Sequence, residues 1–316
     1  MAVAPLPTFL TALVLSAFPL CAQENTRLFQ AIEVGQADSL QAALEAGADP
    51  NGRNQHHRTP LQMAVHHADS AAVALLLDHG ARLDSPPGWG WSPLMFAVAN
   101  GDLNLTRLLI DRGADLHATT EDGRTPLWIA VGGQCQECRP AVVKTLLEAG
   151  AHPELGHLGG RTPLMQAASQ NDTTVVDILL AHNAYANART ASGITALFRT
   201  ADLGALAAAR RLLDAGAEPN IHNRSNSTAL MTAAYKGRLD MVRLFLSYGA
   251  APNRRDGNGQ TALMWAAQTE WVHPSVLQAL VEGGADTALK DAQGRTALTL
   301  AADLSDSTKA AYLRGL

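Results

Sequence analysis

The chain has 316 residues, a formal net charge of −5 and an apolar content of 47%. It contains no Lys-rich or Arg-rich run, so its composition gives no electrostatic case for nucleic-acid binding. Length alone would suggest about two domains, but the internal repeats described below override that expectation.

The first segment, residues 1–22, differs from the rest of the chain. Its stretch from Phe9 to Leu20 is almost wholly apolar and too short to span a bilayer comfortably, and Cys21-Ala22 precedes a passable cleavage site. We therefore expect a secretory signal peptide, an exported and periplasmic mature protein, and no membrane insertion after cleavage. The start of the segment carries no Lys or Arg, so three alternatives stay open: secretion from the cell, an uncleaved hydrophobic tail that tethers the chain, or a mis-assigned start.

A short pattern recurs through the rest of the chain: Thr or Ser, then Pro or a small residue, then Leu. It begins at Thr59, Ser92, Thr125, Thr162, Thr195, Thr228, Thr261 and Thr296. Successive differences between these positions are 33, 33, 37, 33, 33, 33 and 35 residues, and an in-phase Thr26 precedes the first. About nine copies of one unit are therefore present, a period typical of stacked repeats rather than of a domain with one central core.

Each unit predicts two short helices and a polar turn. In residues 92–124, the Ser92 hydroxyl is a suitable N-cap and Pro93 occupies the first helical position. Apolar residues at helical spacing from Leu105 onward predict the second helix, and Gly113 predicts a left-handed C-cap. Such helices bury their apolar faces only when successive units stack.

The Thr-Pro-Leu-x-x-Ala helix, the Val-x-x-Leu-Leu helix and the Gly-Ala-Asp-x-Asn loop make each unit similar to an ankyrin repeat. The resemblance covers about residues 24–316. It implies an all-α ankyrin-repeat solenoid of about nine stacked helix-turn-helix repeats with short β-turn fingers. The His usual after Thr-Pro-Leu is absent, and the last four tetrads carry Ala in place of Pro. We place this domain at residues 23–316, with repeats at approximately 26–58, 59–91, 92–124, 125–161, 162–194, 195–227, 228–260, 261–295 and 296–316.

The resemblance implies a non-catalytic, monomeric scaffold without a cofactor, which binds another protein on its concave side through loop tips and the ends of the first helices. No nucleophile elbow, P-loop, HExxH or dinucleotide fingerprint points to an enzyme. Carried over position by position, the predicted partner-binding residues are His56, Arg58, His66, His67, Trp89, Trp91, Asn100, Arg124, Arg161, Tyr235 and Lys236.

Three groups within this set have alternatives. Trp89 and Trp91 lie in a Pro- and Gly-rich loop and combine with nearby Arg as a binding hot spot does, unless one of them packs over the adjacent finger. The Arg58, Arg124 and Arg161 column favours a carboxylate-bearing partner or is simply solvated. The histidines are interpreted as surface contacts, with a metal or pH-sensing role as the alternative and no metal site predicted.

Cys135 and Cys138 are the two cysteines left after removal of residues 1–22, and they lie in the insertion that lengthens one interval to 37 residues. In an exported protein the pair favours a local disulfide. Inert thiols, and a redox-active or metal-binding pair, are the alternatives. A redox-active or metal-binding pair is the basis of the second function hypothesis, an exported redox or metal-handling accessory protein that uses Cys135 and Cys138.

Overall fold

The computed structural model describes residues 23–84, 90–304 and 307–315. It divides into two compact units, unit 1 up to Ala151 and unit 2 from His152 onward. Within the described ranges, extended pairing is limited to two isolated antiparallel bridges, His157–Arg161 and His222–Thr228. The predicted all-α class is confirmed.

Helices in unit 1 alternate between the first and second helix of successive repeats. They are α1 (residues 23–34), α2 (Ala37–Glu45), α3 (Pro60–His66), α4 (Ser70–Asp78), α5 (Pro93–Asn100), α6 (Leu103–Asp111), α7 (Pro126–Gly132) and α8 (Arg139–Glu148).

Unit 2 continues the alternation of first and second helices. Its helices are α9 (Pro163–Ser169), α10 (Thr173–Ala181), α11 (Ala196–Leu203), α12 (Leu206–Asp214), α13 (Ala229–Tyr235), α14 (Leu239–Ser247), α15 (Ala262–Ala267), α16 (Pro274–Glu282), α17 (Ala297–Asp303) and α18 (Ser307–Arg314).

The first helices begin where the sequence predicts. Ser92 Oγ accepts the Met95 N–H at 3.3 Å, and Pro93 follows at the first helical position. Gly113 ends the unit's second helix at φ 87°, so both end signals read from this unit are confirmed. The same side-chain capping occurs at Thr59, Thr125, Thr162, Thr228, Thr261 and Thr296.

The core of each unit lies between the two helices of a repeat and between helices of like kind in neighbouring repeats. In unit 1 the first helices α3, α5 and α7 pack in turn, and so do the second helices α4, α6 and α8. Leu94 and Leu105 are almost completely buried there. Burial of one such side chain contributes about 1.5–3 kcal/mol, so the stacking of neighbouring repeats stabilises both helices of each repeat.

Asparagine side chains join consecutive repeats of unit 2. Asn220 Nδ2 donates to the Gly249 carbonyl at 2.9 Å, and its Oδ1 accepts the Ala251 N–H at 2.8 Å. Asn187 and Asn253 make the corresponding bonds to the repeats that follow them. Each amide therefore satisfies one donor and one acceptor at the helix end of the next repeat.

The fingers of unit 2 are joined in a similar way. The Arg224 N–H donates to the Ser192 carbonyl at 3.0 Å, and the Gly257 N–H donates to the Ser225 carbonyl at 2.8 Å. The fingers therefore form a continuous edge next to the first helices.

No helix in the described part of the chain combines the length and apolar character needed to cross a membrane.

Candidate protein-interaction surface

The predicted partner-binding residues are divided between the two units. Unit 1 contains His56, Arg58, His66, His67, Trp91, Asn100 and Arg124, whereas unit 2 contains Arg161, Tyr235 and Lys236. Trp89 lies outside the described residues. In each unit the fingers and the first-helix ends form one surface, here called the finger-and-helix surface.

In unit 1 the histidines and the first Arg are exposed. His56 and Arg58 lie in a finger whose Asn54 Oδ1 accepts both of their backbone N–H groups, at 2.9 and 3.0 Å. His66 and His67 end α3 with their rings 5.7 Å apart and tilted by 67°. Among the described residues no group of three His, Cys, Asp or Glu side chains is arranged to hold a metal ion.

Trp91 is half-buried rather than freely exposed. Its ring centroid lies 5.2 Å from that of Phe96 on the following first helix. Much of its surface is therefore used to cover α5 rather than the adjacent finger, and the remainder faces solvent.

The Arg column and the helix ends are solvent-accessible. Arg124 Nε lies 2.6 Å from the Asp122 carboxylate, so its charge is already partly balanced within the finger. Arg161 and Asn100 are also exposed. Exposed ion pairs contribute little to stability, which leaves these side chains able to exchange partners.

The loop between α7 and α8, residues 133–138, is here called the Cys loop. The structure places the Sγ atoms of Cys135 and Cys138 at bonding distance, with their Cα atoms 5.6 Å apart. Both residues are half-buried, and Cys138 is the N-cap residue of α8. The pair packs on Gly101, where an added Cβ would overlap Cys138 Sγ. The predicted insertion between the first and second helix is confirmed, and the disulfide itself stays a prediction.

The loop between α15 and α16, residues 268–273, is here called the Trp loop. Trp271 is 66% exposed, yet its Nε1 donates to the Tyr235 carbonyl at 3.2 Å. The Tyr235 ring contacts the indoles of Trp271 and Trp265 edge-on, with centroids 5.6 and 5.8 Å away. We call Tyr235, Trp265 and Trp271 the aromatic cluster.

A hydrogen bond to the neighbouring finger holds the second indole of the cluster. Trp265 Nε1 donates to Asp256 Oδ2 at 3.0 Å, and Asp256 is buried. The other carboxylate oxygen accepts the Asn258 and Gln260 N–H groups, each at 2.8 Å. The finger and the first helix are thus joined through one carboxylate, which fixes the ring on the surface.

Lys236 lies beside Tyr235 at the end of α13 and is exposed. Its Nζ is 3.0 Å from the Asp202 carboxylate at the end of the preceding first helix, α11. Of the predicted partner-binding residues, Tyr235 is part of the aromatic cluster and Lys236 lies next to it.

Trp265 and Trp271 are not among the predicted partner-binding residues. One signal was available, because the interval from Thr261 to Thr296 is 35 residues instead of 33, and the two extra residues fall in the Trp loop. An insertion that places Trp between the two helices of a repeat marks a departure from the repeat's structural pattern.

In each unit, stacked helix pairs with short fingers between them define a repeat protein, a class that presents extended surfaces to its partners. The family model described as ankyrin repeats (3 copies) matches residues 28–120, 94–190, 135–223, 164–256, 197–291 and 230–314. The chain belongs to the ankyrin-repeat family, as its sequence pattern predicts.

Two known proteins extend this comparison. An ankyrin repeat-containing protein of Treponema pallidum (strain Nichols) is 41% identical over 54 residues, which are 17% of this chain and 18% of that protein. The chain therefore matches less than a fifth of that relative's length. The crystal structure of the ankyrin repeat domain of Bcl-3, a member of the IkappaB protein family, superposes with a TM-score of 0.64 at 28% identity, covering 72% of this chain and 99% of that one.

Ankyrin repeats generally mediate protein–protein interaction, and proteins built from them are typically non-enzymatic scaffolds. The family and the fold thus agree with a binding role.

Proposed function

We propose that this protein is a non-catalytic scaffold that binds a partner protein through its finger-and-helix surface, the concave side in ankyrin proteins generally. The observation that carries the proposal is Trp271, which is 66% exposed and is held in one orientation by Tyr235. A rigid, exposed aromatic side chain loses little entropy on binding and is typical of the residues that dominate interface energies.

The predicted residues of unit 1 belong to the same proposal as a second contact region. Trp91, Arg124 and the histidines are solvent-accessible, although Trp91 also packs on Phe96. We expect them to contribute less per residue than Trp271, because hot spots concentrate in a few well-ordered aromatic anchors.

The experiment is affinity capture and crosslinking of the native exported fraction with the wild type and a Trp271→Ala variant. We expect partner binding to weaken more than roughly tenfold, as for a hot-spot residue. Tyr185→Ala is the matched control, since Tyr185 is a 61% exposed aromatic residue of the same unit outside the cluster. Equal binding by the wild type and both variants would assign the function to another surface.

The second candidate function uses Cys135 and Cys138, and the position of Cys138 at the N-cap of α8 favours it, because catalytic cysteines of redox proteins occupy helix N-termini. The Cys135→Ser, Cys138→Ser double variant separates the two functions. A scaffold retains its partner when both thiols are replaced, whereas a redox or metal-handling protein loses its function and tolerates Trp271→Ala.

We further propose that the protein is monomeric and exported to the periplasm after cleavage of residues 1–22. The apolar stretch from Phe9 to Leu20 supports export. Cell fractionation with mass spectrometry of the mature N-terminus tests this, and we expect the chain to begin at Gln23. A full-length chain in the cytoplasmic fraction would contradict it.

A further inference from the structure

The bonding of the indole N–H groups decides which partner groups the aromatic cluster can bind. Trp265 Nε1 is bonded to Asp256 and Trp271 Nε1 to the Tyr235 carbonyl. Both indole donors are therefore used within the protein. What Trp271 presents to solvent is ring surface rather than a hydrogen-bond donor, so the cluster favours groups that bind to aromatic rings.

The charges around the cluster favour a cation among such groups. Glu270 precedes Trp271 and is exposed. The helix α13 ends at the cluster, and the carbonyl end of a helix carries partial negative charge. Beyond the end of α15, the ammonium of Lys309 is buried and bonded to the Thr269 carbonyl, so that cation lies behind the loop rather than at the solvent-facing ring. A guanidinium next to an indole face and a carboxylate gains from both interactions.

Two exposed basic side chains near the cluster are bonded within the protein. The Lys236 ammonium is paired with Asp202 at 3.0 Å, so its charge is largely balanced locally. His273 is the last residue of the Trp loop, and its Nδ1 accepts the Ser275 N–H at 3.2 Å as the N-cap of α16.

We infer that the aromatic cluster is a docking site for an arginine side chain on an exposed segment of the partner protein, with Trp271 as the stacking surface and Glu270 as the carboxylate. The inference rests on the proposed binding function and specifies the partner chemistry for unit 2. It contrasts with the Arg column of the sequence analysis, which favours a carboxylate-bearing partner.

The test uses two synthetic Gly/Ser peptides of equal length, one with two arginines and the other with citrulline at both positions. Citrulline keeps the planar head group and removes the charge. Binding is followed by titration of the Trp271 indole N–H resonance in the full mature chain at millimolar peptide. We expect tighter binding of the arginine peptide by about two- to fivefold per arginine, the range for an exposed cation–π contact.

Two variants and one control assign the effect. Trp271→Leu should abolish arginine-dependent binding, here followed through the Trp265 resonance, and Glu270→Gln should reduce the arginine preference about twofold while leaving the fold unchanged. Tyr185→Ala should alter neither. Circular dichroism before titration shows whether each variant is folded, and Glu270→Gln preserves the test if Trp271→Leu does not fold.

The outcomes separate this inference from the proposed function. Equal binding of both peptides, or no shift of the indole resonance with either, overturns the arginine site. Loss of the captured partner in Trp271→Ala together with equal peptide binding keeps the scaffold function and overturns only the arginine chemistry. If the arginine peptide binds selectively but Trp271→Ala still captures the partner, the arginine site is supported and its part in partner binding is overturned.

Discussion

The Cys loop and the Trp loop occupy the same place in two repeats, between the first and second helix, and each packs back on the preceding repeat. The Cys loop places two sulfur atoms on Gly101. The Trp loop places Trp271 on Tyr235 and Val272 next to Gly237. The same position in the repeat thus accepts two insertions, one packed through sulfur atoms and the other through an aromatic ring. Of these two loops, only the Trp loop exposes a large apolar side chain.

Gly101 and Gly237 give the sharpest test of this comparison, because both have positive φ, 72° and 67°. Gly101→Ala should destabilise the protein by about 2–5 kcal/mol, since a left-handed Ala costs about 1–2 kcal/mol and overpacking adds about 1–3 kcal/mol. At Gly237 an added Cβ would lie 3.6 Å from Val272 Cγ2, an ordinary contact, so Gly237→Ala should cost about 1–2 kcal/mol.

Urea denaturation of the two Ala variants measures that difference. In the Cys135→Ser, Cys138→Ser background the excess cost of Gly101→Ala should shrink, because the two unbonded side chains can move apart. Equal costs at the two glycines would show that the Cys loop does not pack on Gly101 in solution.

The Trp loop depends on a buried cation at the C-terminal end. Lys309 on α18 is only 1% exposed, and its Nζ donates to the Thr269 carbonyl within the Trp loop. Lys309→Met should cost about 1–3 kcal/mol, because the carbonyl loses a buried donor. Thermal unfolding checks the cost, and the exposed Lys290→Met is the control, with an expected change within about 0.5 kcal/mol. An unchanged melting temperature in Lys309→Met would contradict the contact.

The Cys loop should depend on its covalent closure. Replacing Cys135 and Cys138 with Ser should cost about 2 kcal/mol of unfolding free energy, the loop-closure value for so short a loop. Urea denaturation of the mature chain with and without a thiol reductant measures it. Reductant should destabilise the wild type to the level of the double variant, and a wild type indifferent to reductant would indicate free thiols.

The finger after the Trp loop adds a smaller, pH-dependent difference. Burial of the Asp291 carboxyl opposes its ionisation, but hydrogen bonds from the Arg295 and Gln293 N–H groups and the Arg295 side chain outweigh that effect and lower the pKa of Asp291. A depressed pKa stabilises the fold above the unfolded value of about 3.9, and that stabilisation is lost as the pH falls through the folded pKa.

We therefore expect acid below about pH 4 to loosen this finger. The finger after the Cys loop has the same backbone bond but carries His157 at the position of Asp291, so it has no carboxylate there to protonate. Hydrogen exchange at the Gln293 and Arg295 amides between neutral and acidic pH measures the effect. Asp291→Asn should weaken the finger at neutral pH and flatten its acid dependence. Equal acid dependence in the variant and the wild type would assign the effect to other carboxylates.

The repeat architecture could be predicted from the sequence because one pattern recurs and the same local signals act in each copy. Ser92 and Gly113 mark helix ends by short-range hydrogen bonding and backbone conformation, and both were identified correctly. The aromatic cluster could not be derived in this way. Trp271 meets Tyr235 from 36 residues away, across a boundary between repeats, and that contact depends on the path of an inserted loop.

Trp91 was identified from the sequence, but its degree of exposure could not be predicted. Its Pro- and Gly-rich surroundings suggest free exposure, but Phe96 on the following first helix provides a surface for it. Residue type identified Trp91 and Tyr235 as candidates, whereas the register between neighbouring repeats decides how much of each remains exposed.

The asparagines that join the repeats of unit 2 have a mechanical consequence. Asn187, Asn220 and Asn253 each belong to one repeat, while the groups they bond belong to the next. A pulling force on the C-terminal end would load these bonds one repeat at a time rather than all together. Under tension, unit 2 should therefore extend in steps of about one repeat, each preceded by rupture of one asparagine bridge.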